Sequence, residues 1–183
     1  MKPAIRFSVL TVSDRCASGE REDLGGPAVI REMTERFDAT CLFTEVVPDE
    51  PPRITKTLRS WLEDPEPQDL IWTTGGTGLA PRDVTPEATA PVIERRHDAL
   101  LELARRRCYD ITPMTYLSRG ISGSTGQTLI INLPGSPRAV VEMIDALADV
   151  LPHAIETIRG DVIDNHPNRP RSVDDAKDDT PSR

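Results

Sequence analysis

The sequence has no long apolar run. Its longest apolar stretches, such as residues 129–131, are far shorter than the ~20 residues that a helix needs to span a bilayer. The apolar stretch within residues 1–15 is interrupted by Ser8 and is too short for the core of a secretory signal. We therefore expect no membrane segment and a cytoplasmic location.

Cysteine and histidine are also scarce, with three of each. Cys16, Cys41 and Cys108 form no C-x-x-C pair, and the histidines do not show the spacing of metal ligands. These features predict free thiols in a reducing compartment and no zinc site.

The 183 residues suffice for one domain with a substantial core. Hydrophobic residues make up 37% and charged residues 28%, which favours a folded, soluble domain over a disordered chain. The chain has 22 basic and 30 acidic residues, a net charge of −8, and no basic face, so duplex nucleic acid is an unsuitable partner. The arginines between residues 95 and 107 are predicted to lie on an amphipathic helix, as a solvated face or a subunit contact and not as a phosphate site.

Short apolar runs alternate with segments of helical spacing. Strands are predicted at 6–12, 40–47, 69–74 and 128–132, where the last two have the continuous apolar character of strands buried in a parallel sheet. Helices are predicted at 27–38, at 54–62, from Thr85 as N-cap, and from Ser136 as N-cap. Residues 120–126 are predicted to form a flexible loop, and 112–119 are left open as turn, short helix or strand.

This alternation predicts an α/β fold in which helices cover both faces of a mostly parallel sheet. The single domain is expected to occupy residues 1–160. Residues 161–183 lose the hydrophobic pattern and are predicted to form a polar, acidic tail that is disordered or extended.

Ligands of open α/β sheets bind at the carboxyl ends of the strands. Three loops rich in glycine or proline lie at such ends, at 13–27, 74–86 and 132–137, and each can offer backbone N–H groups to an anion. Asp49 and Asp83 bring two carboxylates to the same edge. Anion-binding loops beside two acids suit a nucleotide with Mg²⁺, because the metal bridges carboxylate and phosphate.

Three other motifs can be excluded by spacing. A P-loop fails because Leu79, not lysine, follows Gly78. The dinucleotide fingerprint fails because Pro81 occupies its last glycine position. A serine nucleophile elbow at 120–124 fails because Ser124 replaces its final glycine.

Six motifs follow one another along the chain: VSD at 12–14, VPDE at 47–50, TTGGTG at 73–78, PRDVTPEAT at 81–89, LSR at 117–119 and NLPGSP at 132–137. Together they resemble the molybdopterin adenylyltransferase family, which includes Mog and MoaB proteins and the gephyrin G domain. The resemblance extends from about residue 6 to 160. It implies a three-layer α/β/α molybdopterin-binding domain, usually a homotrimer. Such a domain transfers AMP from Mg-ATP to the terminal phosphate of molybdopterin and releases pyrophosphate.

The resemblance also implies residue roles. Asp49 and Asp83 would be the catalytic carboxylates that hold Mg²⁺. The nucleotide and its phosphates would contact Gly75, Gly76, Thr77, Gly78, Pro134, Gly135 and Ser136. The pterin would contact Ser13, Asp14, Ser118 and Arg119. The adenylylated product would pass to a molybdenum insertase.

Two positions depart from the family pattern. Ser136 stands where relatives often have Asn or Gln, a mild change because serine can still cap the helix. Thr125 stands where relatives often have an arginine. The alternative function is therefore a non-catalytic molybdopterin-binding carrier or assembly protein of the same fold. Hydrolysis of a nucleotide pyrophosphate or a nicotinamide nucleotide is a third alternative, for which the sequence contains no additional motif.

Overall fold

A computed structural model describes residues 4–161, and the fold within that range is built on one mixed sheet. Its strands are β1 (Ile5–Val12), β2 (Ala39–Val47), β3 (Leu70–Thr74), β4 (Arg95–Arg96), β5 (Ser122–Thr125) and β6 (Thr128–Leu133). The spatial order is β2-β1-β3-β6-β5-β4. The first four strands in that order are parallel, and β5 and β4 are antiparallel additions. The predicted tail lies outside the described residues from residue 162 onward.

Helices connect the strands. They are α1 (Asp14–Ala17), α2 (Gly25–Arg36), α3 (Pro51–Leu62), α4 (Thr85–Thr89), α5 (Asp98–Cys108), α6 (Pro137–Leu147) and α7 (Leu151–Arg159). Short 3₁₀ segments occupy Ala90–Val92 and Pro113–Leu117. No helix within residues 4–161 is long and apolar enough to cross a membrane.

The core has two parts, one on each face of the sheet. On one face, Phe7 and Trp72 pack with α2, α5, α6 and α7. On the other face, Leu10 and Ile71 pack with α3 and α4. Burial of these side chains on both sides explains the continuous apolar character of β3. The predicted three-layer α/β/α fold is confirmed.

The prediction of a flexible loop at 120–126 is wrong, because Ser122–Thr125 form the buried strand β5. Gly123 has a packing role there: a Cβ would lie 2.3 Å from the Ile93 side chain and 2.4 Å from the Arg95 carbonyl oxygen. The helical prediction for Arg95 and Arg96 is also wrong. They form β4, whose backbone approaches β5 closely because Gly123 has no side chain.

Helix starts differ from prediction in local detail. Thr85 is the first residue of α4, not its N-cap, because its hydroxyl instead donates to the Gly75 carbonyl at 2.8 Å. Ser136 is the N-cap of α6, although its side chain makes no capping hydrogen bond. The loop after β1 contains the short helix α1, capped by Ser13, whose hydroxyl accepts the Cys16 N–H.

A buried ion pair fastens the end of the sheet opposite the predicted site. Asp69, whose side chain is 2% exposed, accepts hydrogen bonds from Arg159 Nε at 2.6 Å and from the Arg6 N–H at 2.7 Å. Burial alone would raise the pKa of Asp69, but these arginine hydrogen bonds hold it below its usual value. Asp69 therefore joins α7 to β1 and β3.

We expect Asp69→Asn to lower the free energy of unfolding by about 3 kcal/mol near pH 7, because it leaves Arg159 buried without its counter-charge. Since the folded state lowers the pKa of Asp69, its contribution is complete above the unfolded-state pKa of about 3.9. It is lost as the pH falls through the folded-state pKa. Urea unfolding at pH 7 and at about pH 3 should therefore show the two proteins converging in acid.

Asp145→Asn is the matched control. Asp145 pairs with Arg36, but its side chain is 65% exposed, so the change should cost less than about 1 kcal/mol. Equal losses in both variants would contradict a special role for Asp69.

Candidate active site

The carboxyl ends of the parallel strands open into a cleft of about 970 Å³. β2 lies on one side of β1, whereas β3 and β6 lie on the other, so the strand order reverses between β1 and β3. Ligands of open α/β sheets bind at such a switch point. The cleft is therefore where the fold itself favours a small-molecule site.

The backbone of the GGTG loop packs tightly against its neighbours. Gly75 and Gly76 have φ angles of +100° and +60°, which L side chains rarely adopt. A Cβ at Gly75 would lie 2.2 Å from the Val12 carbonyl oxygen, and one at Gly135 would lie 3.1 Å from the Gly75 Cα. Glycine is required at Gly75 by both conformation and space.

Two loops present backbone donors to the cleft. Within residues 4–161 no acceptor receives the N–H groups of Gly76, Thr77, Gly78, Gly135 and Ser136, all of which line the cleft. The Gly75 N–H, in contrast, is taken by the Leu133 carbonyl at 3.1 Å. Clustered N–H groups without partners form an anion-binding concavity. These residues belong to the set that the motifs predicted to bind phosphate.

Asp14 links three of the loops at this edge. Its Oδ1 accepts the Asp49 N–H at 3.0 Å, and Asp49 Oδ2 accepts the Asp14 N–H at 2.8 Å. Arg82 binds the Asp14 carboxylate in a two-pronged arrangement, with Nε at 3.0 Å and Nη2 at 2.7 Å. The loops that follow β1, β2 and β3 are thereby joined through one carboxylate.

The surroundings of Asp14 and Asp49 shift the pKa values of their carboxyl groups in opposite directions. Burial raises the pKa of Asp49, and the negative charges of Asp14 and Asp83 raise it further. The hydrogen bonds from Arg82 lower the pKa of Asp14. Negative charge is thus concentrated at this edge, and Arg82 partly offsets it.

The donor set fits Mg²⁺. Asp83 Oδ2 accepts the Ala80 N–H at 2.8 Å, while Asp49 Oδ1 and Asp83 Oδ1 accept no hydrogen bond from the described residues. No group of three or more His, Cys, Asp or Glu within residues 4–161 could hold a metal. A magnesium ion held here would therefore need phosphate or water oxygens as well, which is how Mg²⁺ commonly binds with nucleotides.

The predicted site residues gather at this cleft, with one exception. Its lining contains Ser13, Asp14, Asp49, Gly75, Gly76, Thr77, Gly78, Asp83, Ser118, Pro134, Gly135 and Ser136. Ser118 Oγ lies 3.1 Å from Thr77 Oγ1. Arg119 does not line the cleft, because its guanidinium group is directed at the backbone of the GGTG–Asp83 segment.

Sequence reasoning missed three charged residues with structural roles at the site. Asp23 accepts the N–H groups of Gly25 and Gly26, the first two residues of α2, and Asp23 and Gly25 both line the cleft. Arg82 forms an ion pair with Asp14, and Glu87 forms one with Arg119. The sequence signals that were available are an aspartate two residues before the Gly25-Gly26 pair and two charged residues within the PRDVTPEAT motif.

The lining of the cleft also includes exposed apolar side chains. These are Ile111, Met114 and Leu117, which are 52%, 61% and 47% exposed. Such side chains offer contact surface to a flat ring. Thr125, in contrast, is not part of the cleft lining, and its hydroxyl donates to the Val92 carbonyl at 2.5 Å.

Sequence comparison finds that residues 8–153 match the family described as "Probable molybdopterin binding domain". The chain is 43% identical over 159 residues to "Molybdenum cofactor synthesis protein cinnamon" of Drosophila melanogaster; the match covers 87% of this chain but only 26% of that protein. It is 37% identical over 157 residues to "Molybdopterin adenylyltransferase" of Helicobacter pylori, covering 85% of this chain and 89% of that protein.

Structural comparison agrees with the sequence matches. The MoaB molybdopterin biosynthesis enzyme of Thermus thermophilus has a TM-score of 0.79 and 47% identity, over 85% of this chain and 97% of that one. The chain therefore spans about a quarter of its fruit-fly relative and nearly all of its bacterial relatives.

We expect Arg82→Ala to raise the pKa of both Asp14 and Asp49, because Arg82 stabilises both carboxylates in their charged form. The rise should be larger at Asp14, which loses its direct hydrogen bonds. Carboxyl ¹³C NMR titration of the protein without ligands measures both groups.

Arg138→Ala is the control, because Arg138 also lines the cleft but pairs with Glu142 instead. It should leave both pKa values in place. An Asp14 that titrates at a higher pH than Asp49 in the wild-type protein would contradict the roles given to these contacts.

Proposed function

Because the chain belongs to the family of molybdopterin-binding domains, as its motifs predicted, we propose that it acts in molybdenum cofactor biosynthesis as a molybdopterin adenylyltransferase. The observation that carries the proposal is the set of unpartnered N–H groups at residues 76–78 and 135–136 beside Asp49 and Asp83. This arrangement suits a polyphosphate with its metal. The bacterial relatives of similar length that carry the adenylyltransferase name support the same conclusion.

The reaction joins two phosphates. An oxygen of the terminal phosphate of molybdopterin forms a bond to the α-phosphorus of ATP. The bond from that phosphorus to the bridging oxygen of the β-phosphate breaks, and pyrophosphate leaves with the electron pair. Since the attacking phosphate is already ionised, no side chain has to remove a proton, and the protein mainly positions the groups and neutralises their charge.

Different groups of the protein bind the phosphates and the metal. The N–H groups of the GGTG loop and of Gly135 and Ser136 donate to the phosphates of ATP. Asp49 and Asp83 hold Mg²⁺, which supplies charge neutralisation when bound. The pterin-binding roles of Ser13, Asp14 and Ser118 stay a prediction.

We also propose a cytoplasmic homotrimer that delivers adenylyl-molybdopterin to a molybdenum insertase. The three free thiols agree with a reducing compartment. Tyr109 and Tyr116, which are 54% and 46% exposed and contact each other edge to face, offer apolar surface for a subunit contact. Sedimentation equilibrium should give three times the 20.2 kDa mass of the chain, and a single-chain mass would contradict the trimer.

The decisive assay measures pyrophosphate released from Mg-ATP with and without molybdopterin. We expect release to require molybdopterin and to fall on the order of 10³-fold in Asp83→Asn, because a charge-neutralising group is lost where it acts on the transferred phosphate. Asp98→Asn, which removes an exposed carboxylate paired with Arg96, should retain wild-type release.

The other outcomes separate the alternatives. Saturable molybdopterin binding without pyrophosphate release would indicate the non-catalytic carrier. ATP consumption without molybdopterin would indicate nucleotide hydrolysis. Undiminished release in Asp83→Asn would contradict the role assigned to that carboxylate.

A further inference from the structure

Arg119 is the predicted pterin contact that the cleft lining does not include. Its backbone N–H donates to the Thr77 carbonyl at 2.7 Å. Its guanidinium group donates through Nε to the Gly78 carbonyl at 2.8 Å and through Nη2 to the Asp83 carbonyl at 2.5 Å. Arg119 is therefore bonded to the GGTG loop and to the segment that follows it.

The third guanidinium contact is an ion pair between Nη1 and the carboxylate of Glu87, on α4. Each of the three guanidinium nitrogens thus has an acceptor: the Gly78 carbonyl, the Asp83 carbonyl and the Glu87 carboxylate. A planar guanidinium can satisfy three acceptors that lie in fixed directions, whereas a lysine ammonium is a single point of charge. The arrangement is specific to arginine.

Besides Arg119, two contacts hold the segment from Gly78 to Asp83: the ion pair between Arg82 and Asp14, and a turn that Asp83 closes. Asp83 closes a turn on Ala80, because its N–H donates to the Ala80 carbonyl and its Oδ2 accepts the Ala80 N–H. Leu79 and Arg82 are exposed, so packing does not fix the turn. Arg119 binds the carbonyl groups of Gly78 and Asp83, at the two ends of this segment. It thereby fixes the position of Asp83 relative to the GGTG loop.

We infer that Arg119 is a positioning residue that holds the Asp83 carboxylate and the GGTG donors in register for Mg-ATP, and is not a ligand of the pterin. This inference rests on the proposed adenylyl transfer, because it concerns the carboxylate assigned to the metal. It replaces the pterin-binding role that the sequence motif implied for Arg119.

The test compares Arg119→Gln with the wild-type protein by three readouts. Loss of a group that orients a metal-holding residue should lower kcat and weaken Mn²⁺ binding in the presence of ATP, each by about 10- to 100-fold. The Kd for molybdopterin, followed by fluorescence, should change by less than about twofold, because an interaction that does not touch the pterin leaves its binding intact. Arg96→Gln, at an exposed ion pair outside the cleft, should match wild type in all three.

Double variants identify the residue through which Arg119 acts. In an Asp83→Asn background, Arg119→Gln should cause no further loss of Mn²⁺ binding, since groups that act as one unit are not additive. Glu87→Gln should cause a smaller loss than Arg119→Gln, because the two carbonyl contacts persist. Arg119→Lys should bind Mn²⁺ more tightly than Arg119→Gln but less tightly than wild type. If thermal unfolding shows that the Arg119→Gln protein does not fold, Arg119→Lys becomes the test variant.

A tenfold or larger rise in the Kd for molybdopterin, persisting in the Asp83→Asn background, would overturn the inference and restore the pterin role. Unchanged Mn²⁺ binding in the folded Arg119 variant would overturn it as well. If the wild-type protein releases no pyrophosphate, the proposed function fails, yet the two binding readouts still decide the role of Arg119.

Discussion

Gly75 lies where the ends of three strands meet, and the cleft depends on how closely their backbones approach there. A Cβ at Gly75 would lie 2.2 Å from the Val12 carbonyl oxygen, and one at Gly135 would lie 3.1 Å from the Gly75 Cα. The Gly75 N–H donates to the Leu133 carbonyl oxygen. This contact brings the GGTG loop beside the Pro134–Gly135 turn, so residues of both loops line one cleft.

Charged residues fix the acidic side of the same cleft. Asp14 joins the loops after β1, β2 and β3 through Asp49 and Arg82, and Arg119 joins the ends of the turn that carries Asp83. Each of the two proposed metal-holding carboxylates thus keeps one oxygen on a backbone N–H and one without a protein donor among residues 4–161. Catalysis of phosphoryl transfer depends on preorganised groups of this kind, because the protein contributes mainly positioning and charge neutralisation.

The sequence allowed the parallel strands and the glycine loops to be predicted because their signals are local. The apolar run at 69–74 opens directly into glycines, and the structure has β3 and the GGTG loop there. β5 could not be predicted in the same way, since Gly123 serves a close approach by Arg95, a distant residue. Arg119 shows a second limit: a motif can assign a residue to a site, but the direction of its side chain depends on carbonyl groups about 40 positions away, at Gly78 and Asp83.

We propose above all that the protein transfers AMP to a pterin phosphate in this cleft. The most direct measurement follows ATP with a radioactive label on its α-phosphate, incubated with the protein, Mg²⁺ and molybdopterin. We expect the label to appear in a molybdopterin adduct while unlabelled pyrophosphate is released. Label that stays in ATP, or that appears only as free AMP, would contradict the claim.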